Sequence, residues 1–441
     1  MVGLNLLQVL ALAVDTAMCG RLENAEHALS ALGFATQVIF LLMVAMIGLT
    51  TGNVALVARA FGAKDHDRVN HLFRQSTLLI IYLAIAVAVL GNLAAPAILR
   101  ALGASEIVLE LGLDYLRPLL TFSVVYYLSI LYGATLRGVG NTRLAFESAI
   151  LQAGLNILLN YGLILGNLGM PSMGVEGAAY GTVISQAVGV AVLLWRIHGG
   201  AVPGVRMPVP FQRVDKGVAR DIWRIGWPAA MDMVILNAGF VAVLGMVSWH
   251  DELAVAAHAV GLRVQTFAFV PGLAVARAAG AMIGNALGAQ DPGQARALAR
   301  LSMQSCGGLM TVLGLLLLVL ARPILTVFDI PPNTPLADYT VEWITILGAG
   351  MPITGIWIAL AGMLQGAGHT MSSLRINAFS TLAIQIPLCW VLGSLMGMGP
   401  FGVWLAFPIG FVFKAILGFI AYRAGAWAET SSLEGAPPMP Q

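Results

Sequence analysis

The sequence predicts an all-α membrane protein with twelve transmembrane helices, and three observations carry that prediction. Of 441 residues, 59% are hydrophobic and only 10% charged, against roughly 25% charged in an ordinary soluble domain. Apolar runs recur, such as LLIIYLAIAVAVLGNLAA from Leu78 and GGLMTVLGLLLLVLA from Gly307. Each is close to the ~20 residues that cross a hydrocarbon core of ~30 Å. No alternating ten-residue pattern of a membrane barrel is present. Lipid offers no partner for backbone polar groups, so the spans must be helices.

The spans are expected over residues 1–20, 32–58, 73–95, 115–136, 143–166 and 174–198. The second set covers 220–247, 254–285, 300–322, 339–363, 372–394 and 401–424. The net charge of +2 hides an uneven distribution of basic residues. Even-numbered connections hold Arg59, Lys64, Arg68 and Arg74, then Arg137 and Arg143, then Arg196 to Arg224, and later Arg296, Arg300 and Arg375. Odd-numbered connections are richer in acids: Glu23, Glu26, Glu106, Glu110, Asp251, Glu252, Asp329 and Asp338. By the positive-inside rule both termini and all even loops are expected in the cytoplasm. Met1 is followed at once by the first span, without a basic flank or cleavage site, so no removable signal peptide is expected.

Several function classes are set aside by what the chain lacks. No G-x-x-x-x-G-K-[ST] loop exists for nucleotide hydrolysis. No Ser/His/Asp set, paired deep acids or His cluster lies within the spans, which argues against an enzyme. Cys19, Cys306 and Cys389 have no metal spacing and are expected to serve packing. Neither a resident metal, a cofactor nor a nucleic-acid partner is expected.

The chain reads as two halves. Phe61-Gly-Ala-Lys-Asp65 recurs as Leu287-Gly-Ala-Gln-Asp291, and Leu136-Arg-Gly-Val-Gly-Asn-Thr142 as Leu364-Gln-Gly-Ala-Gly-His-Thr370. Met173-Gly174 with Gly177 recurs as Met398-Gly399 with Gly402, at a nearly constant offset. Six spans per copy is an even number, so both copies share one orientation, as in transporters built from parallel repeats. The expected division is an amino-terminal lobe over 1–198, a cytoplasmic linker over 199–219, a carboxyl-terminal lobe over 220–424, and a disordered tail over 425–441. Gly, Pro and basic residues mark the linker; Pro and polar residues mark the tail.

Asp15 is the most informative single residue. It follows the stretch Leu6–Val14, whose only polar side chain is Gln8. A carboxylate at the centre of a membrane helix costs roughly 2.5–3.5 kcal/mol on insertion scales, so the default expectation is a functional site, the plainer alternative being an acid near a helix end that reaches water.

These residues resemble the multidrug and toxic compound extrusion family. The resemblance rests on Val14-Asp-Thr16 with Gly20, Phe61-Gly-Ala63, and Leu136-Arg-Gly-Val-Gly-Asn-Thr142. It continues through Leu155-Asn-Ile-Leu-Leu-Asn160 and Gly174-Val-Glu-Gly-Ala-Ala179 with Thr182, and covers Asn5 to about Ala424. It implies two pseudo-symmetric six-helix lobes in a V, and cation-coupled export of amphipathic, often cationic, drugs and toxic organic compounds by rocking alternating access. A bacterial cytoplasmic membrane location and a monomer are expected. The alternative is a lipid or lipid-linked oligosaccharide flippase of the same superfamily.

The family's amino-lobe cation site maps onto Asp15, Asn156, Asn160, Thr182 and Ala178. Asn156 and Asn160 stand one helical turn apart, as do Ala178 and Thr182; hydrogen bonding between helices is the plainer role open to the two amides. Oxygen ligands around one carboxylate suit Na⁺, whereas a lone desolvated acid suits H⁺. Both remain open, with the proton favoured because Asn160 stands where some relatives carry an aspartate, which leaves Asp15 as the single carboxylate. The carboxyl-lobe acids of some relatives have no match: Leu236 stands at one of those positions, and Asp232, one turn earlier, is open to two readings, a substitute acid or a residue near the cytoplasmic end; coupling is therefore expected in the amino lobe. Phe34, Phe40, Met43, Tyr126, Tyr127 and Arg263 are candidates for the substrate cleft, because aromatic and methionine side chains make adaptable, cation-tolerant surfaces. The plainer role of packing is also open for them, and Lys414 is a further charged residue at depth.

Overall fold

The computed structural model describes residues 18–22, 25–209 and 213–429. The expected first span, Asp15 with it, lies outside these residues except for its last three positions. The helices follow the hydropathy: α1 (Ala25–Gly62), α2 (His66–Ala101), α3 (Glu106–Thr121), α4 (Ser123–Gly138), α5 (Thr142–Leu163) and α6 (Gly174–His198). Then come α7 (Lys216–Ser248), α8 (Glu252–Gly288), α9 (Pro292–Leu320), α10 (Pro335–Gly366), α11 (Thr370–Leu395) and α12 (Gly399–Ala424). Among the described residues, nine helices are long and apolar enough to cross a membrane, or ten when α3 and α4, bent by 57° at their junction, count as one span. With α5, made more polar by Arg143, Glu147, Gln152, Asn156 and Asn160, every expected span from 32–58 onward is met by a helix. The described chain is a helical multi-span membrane protein.

The motif pairs that suggested duplication take the same backbone. Lys64 and Gln290 both adopt positive φ, 60° and 57°, which is uncommon outside glycine. Asp65 and Asp291 each cap the following helix, accepting from Arg68 N at 2.9 Å and Gln294 N at 2.8 Å. In the second pair Gly140 and Gly368 match at φ 79° and 78°. Asn141 N donates to Leu136 O, and His369 N to Leu364 O, at 2.8 Å in both cases. Paired turns of this kind reproduce a backbone that unrelated turn sequences would have no reason to share.

Two compact units meet between Trp227 and Pro228, inside α7. In the first unit α5 packs along α6, α3 lies against α1 and α6, and α4 touches α1, α2 and α6. The Gly/Pro-rich segment before α7 is docked on α2. Asn70 pairs its amide with the backbone, donating to Gly204 O at 3.0 Å and accepting from Arg206 N at 2.7 Å. Gln75 does the same with Arg213 O at 3.1 Å and Asp215 N at 2.9 Å. Val202 and Val205 are buried beneath it, and His71 Nε2 lies 2.9 Å from Asp215 Oδ2.

The Asp215 carboxyl is held below the usual carboxylate range, first by its hydrogen bond with His71 and then by the Val218 and Gly217 amides. A folded-state value below the unfolded one stabilises the docked form above the unfolded value, near 3.9, and that contribution fades as pH falls through the lowered value. The pair is exposed, so its worth is at most about 1 kcal/mol. Hydrogen exchange of residues 201–209, corrected for intrinsic rates, should therefore be flat from pH 7 to 5 and rise only in stronger acid. Asp215→Asn should raise it modestly at neutral pH.

In the second unit α10 is central, packed against α8, α9 and α12. Glycines let the backbones approach. A Cβ on Gly280 would lie 2.7 Å from Gly362 O, one on Gly362 2.7 Å from Ala276 O, and one on Gly366 would strike Gly280 itself. Small residues spaced four apart are the usual means of close helix packing in membranes. Gly366→Val should lower the melting temperature in detergent by several degrees, since overpacking costs typically 1–3 kcal/mol; Gly366→Ala should cost less. Beyond the seam Trp343 stacks on Trp404 at 5.7 Å, and Trp404 Nε1 donates to His258 Nδ1 at 3.2 Å.

Two helices depart from regular α geometry. Val87–Gly91 in α2, and both Phe379–Gln385 and Val391–Leu395 in α11, form π turns, which are frequent at functional sites. Cys19, Cys306 and Cys389 are buried as thiols. The expected tail opens with a 3-10 turn, Ala426–Ala428, whose Trp427 is buried and stacks on Tyr422 at 5.9 Å. Residues 430–441 lie outside the described part.

Candidate functional site

The polar residues of α5 recur every fourth position: Ser148, Gln152, Asn156 and Asn160. That spacing puts them on one face, stacked turn on turn, and the face meets α6 and α4. Asn156 Nδ2 donates to Thr182 Oγ1 on α6 at 3.2 Å, and Asn160 Nδ2 donates to Asn156 Oδ1 at 3.3 Å. Gln152 Nε2 donates to Ser148 Oγ at 3.2 Å and to Ser129 Oγ on α4 at 3.1 Å. Asn160 and Ala178 are fully buried, and Asn156 is 5% exposed. Such side chains avoid the penalty of unpaired polar groups only by bonding to one another.

Room for this ladder comes from α6. A Cβ on Gly181 would collide with Asn160 Oδ1, and one on Gly189 would collide with Gln152. Small residues on α6 thus determine where the amides of α5 can lie. Beyond the ladder, where α5 ends and α6 begins, a recess is lined by Arg21, Asp114, Ser172 and Glu176 among others.

Of the expected cation site, the structure brings together Asn156, Asn160 and Thr182 by direct bonds. Ala178 lies one turn before Thr182 on α6, and Asp15 is outside the described residues. Ser148 and Gln152 escaped the sequence reading, although their four-residue spacing in an apolar helix was a visible signal. The cleft candidates divide. Tyr127 is 2% exposed and donates to Leu42 O at 3.2 Å, tying α4 to α1. Tyr126 Oη lies 3.6 Å from Met43 Sδ on the same pair of helices. Phe34 and Phe40 are half-buried on α1, and Arg263 is exposed on α8.

The second unit holds a separate polar cluster. Asp232 on α7 is 8% exposed and accepts from Asn377 Nδ2 at 2.6 Å and Ser373 Oγ at 3.0 Å, both on α11. Asn377 Nδ2 also donates to Asp232 O at 3.2 Å, and Thr381 Oγ1 steadies its amide oxygen at 3.3 Å. Asp232 therefore points to α11, although the sequence tied it to no partner there.

Known proteins match the chain over nearly its whole length. The MatE family model covers residues 1–162 and 228–391. The chain is similar to the probable multidrug resistance protein NorM of Thermotoga maritima, at 24% identity over 98% of this chain and 92% of that one. It is also similar to multidrug resistance protein NorM of Burkholderia vietnamiensis, at 28% identity over 96% and 90%. Among solved structures, an outward-facing multidrug resistance MATE family transporter of the MOP superfamily superposes with a TM-score of 0.88 at 22% identity, over 96% of this chain and 93% of that one. A MOP superfamily transporter from Pyrococcus furiosus gives 0.88 at 22%, over 97% and 94%. At such identity the structural likeness establishes the fold.

Proposed function

The chain belongs to the MatE family, whose members are transporters rather than enzymes, and on that premise we propose that it is a cation-coupled exporter of amphipathic, often cationic, organic compounds. The observation that carries this reading is the buried ladder from Asn160 through Asn156 to Thr182. Amide and hydroxyl donors gathered inside a membrane protein can bond a carboxylate while their oxygens ligate its ion, and the family resemblance assigns Asp15 of the first span as the acid that would join them. The multidrug resistance names of the NorM relatives agree with an organic, drug-like substrate.

In this mechanism ionised Asp15 attracts a cationic substrate. An H⁺ or Na⁺ arriving from outside by way of the recess beside Asp114 and Glu176 neutralises it. Loss of that charge releases the substrate and lets the ladder repack, and the two halves rock to expose the site to the cytoplasm. There the lower cation activity discharges Asp15. The basic even-numbered loops support both termini being cytoplasmic in the bacterial inner membrane. One charge crossing ~100 mV is worth ~2.3 kcal/mol, enough for tens-fold accumulation.

The test is efflux of a fluorescent cationic dye from proteoliposomes under separate H⁺ and Na⁺ gradients. Transport driven by either ion is expected. Dye movement indifferent to both gradients would overturn the coupling.

A further inference from the structure

A buried lysine stands beside the Asp232 cluster. Lys414 on α12 is 1% exposed, with its Nζ 4.8 Å from the centre of the Phe411 ring. α12 packs against the stretch of α11 that carries Ser373 and Asn377, the donors to Asp232, so the Lys414 charge bears on Asp232 although the two make no direct ion-pair contact within 4 Å. An isolated charge so deeply buried is prohibitively costly, and it persists only when compensated. Around the carboxylate the close groups are donors: the Asn377 amide at 2.6 Å and the Ser373 hydroxyl at 3.0 Å. A bound metal cation needs the opposite, a shell of several acceptor oxygens.

We propose that the Lys414 ammonium is a tethered counterion that stands in the second unit where a mobile cation would otherwise balance Asp232. The Asp232–Lys414 cluster is then permanently neutral and takes up no coupling ion. The inference deepens the transport reading, on which it rests for its meaning: all coupling falls to the Asp15 side, at one site per chain. It also accounts for a deep acid and a deep lysine coexisting on α7 and α12, where either alone would be untenable. Ser373, Asn377 and Thr381 stand four residues apart on one face of α11, and a π turn at Phe379–Gln385 begins two residues after Asn377.

The experiment compares purified full-length wild type, Lys414→Met, Asp232→Asn and the double variant, by ²²Na⁺ binding and by proton uptake from weakly buffered solution. Removing the tether should open the place it held. Lys414→Met is expected to take up one further equivalent of Na⁺ or H⁺ per chain, and Asp232→Asn in that background should abolish the gain. The double variant, neutral again, should melt higher than either single one. No gain in Lys414→Met, or a loss of cation binding in Asp232→Asn alone, would overturn the proposal. Where Lys414→Met fails to accumulate, recovery by the double variant supports compensation, and failure of both refutes it. The gain is read as binding and not transport, so it stands apart from whether Asp15 drives export.

Discussion

Replacing Asp15 by Asn should bring gradient-driven dye export down to the level of empty vesicles, while expression and membrane insertion are retained. The substitution keeps the shape and removes only the ability to gain and lose a charge. In the wild type that charge, moving through ~100 mV, supports tens-fold accumulation; without it the substrate should equilibrate. Insertion should be unharmed, because an amide costs less than a carboxylate in lipid. Reconstitution at matched protein levels, with orientation checked by protease access, gives the comparison. Undiminished accumulation by Asp15→Asn would falsify the assignment and move coupling to another acid.

How far the sequence carried depended on the range of each interaction. Helix positions were legible because burial in lipid acts residue by residue, so Leu78 to Ala95 announces a span without any partner. The duplication was legible because turns such as Lys64-Asp65 and Gln290-Asp291 are local, and the same backbone demands similar residues. Half the α5 ladder was visible through Asn156 and Asn160. Ser148 and Gln152 carry the same four-residue spacing, but their partners Ser129 on α4 and the space left by Gly189 on α6 are distant in sequence, so the spacing alone did not mark them as part of the ladder. Lys414 and Asp232 were each noticed alone, but Ser373 and Asn377 reach Asp232 across 141 and 145 residues, and no spacing rule connects them. The docking of residues 201–215 was hidden for the same reason, since Asn70 and Gln75 precede it by more than 130 residues.

The second large effect is expected at a residue with no polar atom in its side chain. Gly181→Ala adds one methyl group, and it would fall on Asn160 Oδ1. Two relaxations are open: Asn160 swings away, breaking its 3.3 Å bond to Asn156, or α5 and α6 separate. Either should cost about 1–3 kcal/mol as overpacking, and the first also leaves buried amides without their partners. Export should fall as far as in Asn160→Ala, with a drop in melting temperature that Asn160→Ala does not share to the same extent. The double variant separates packing from chemistry. With Ala at both 160 and 181 the methyl meets no amide, so stability should return while cation-driven export does not. Return of export with stability would mean that the amide of Asn160 serves helix packing alone, and the ladder would lose its place in the transport mechanism.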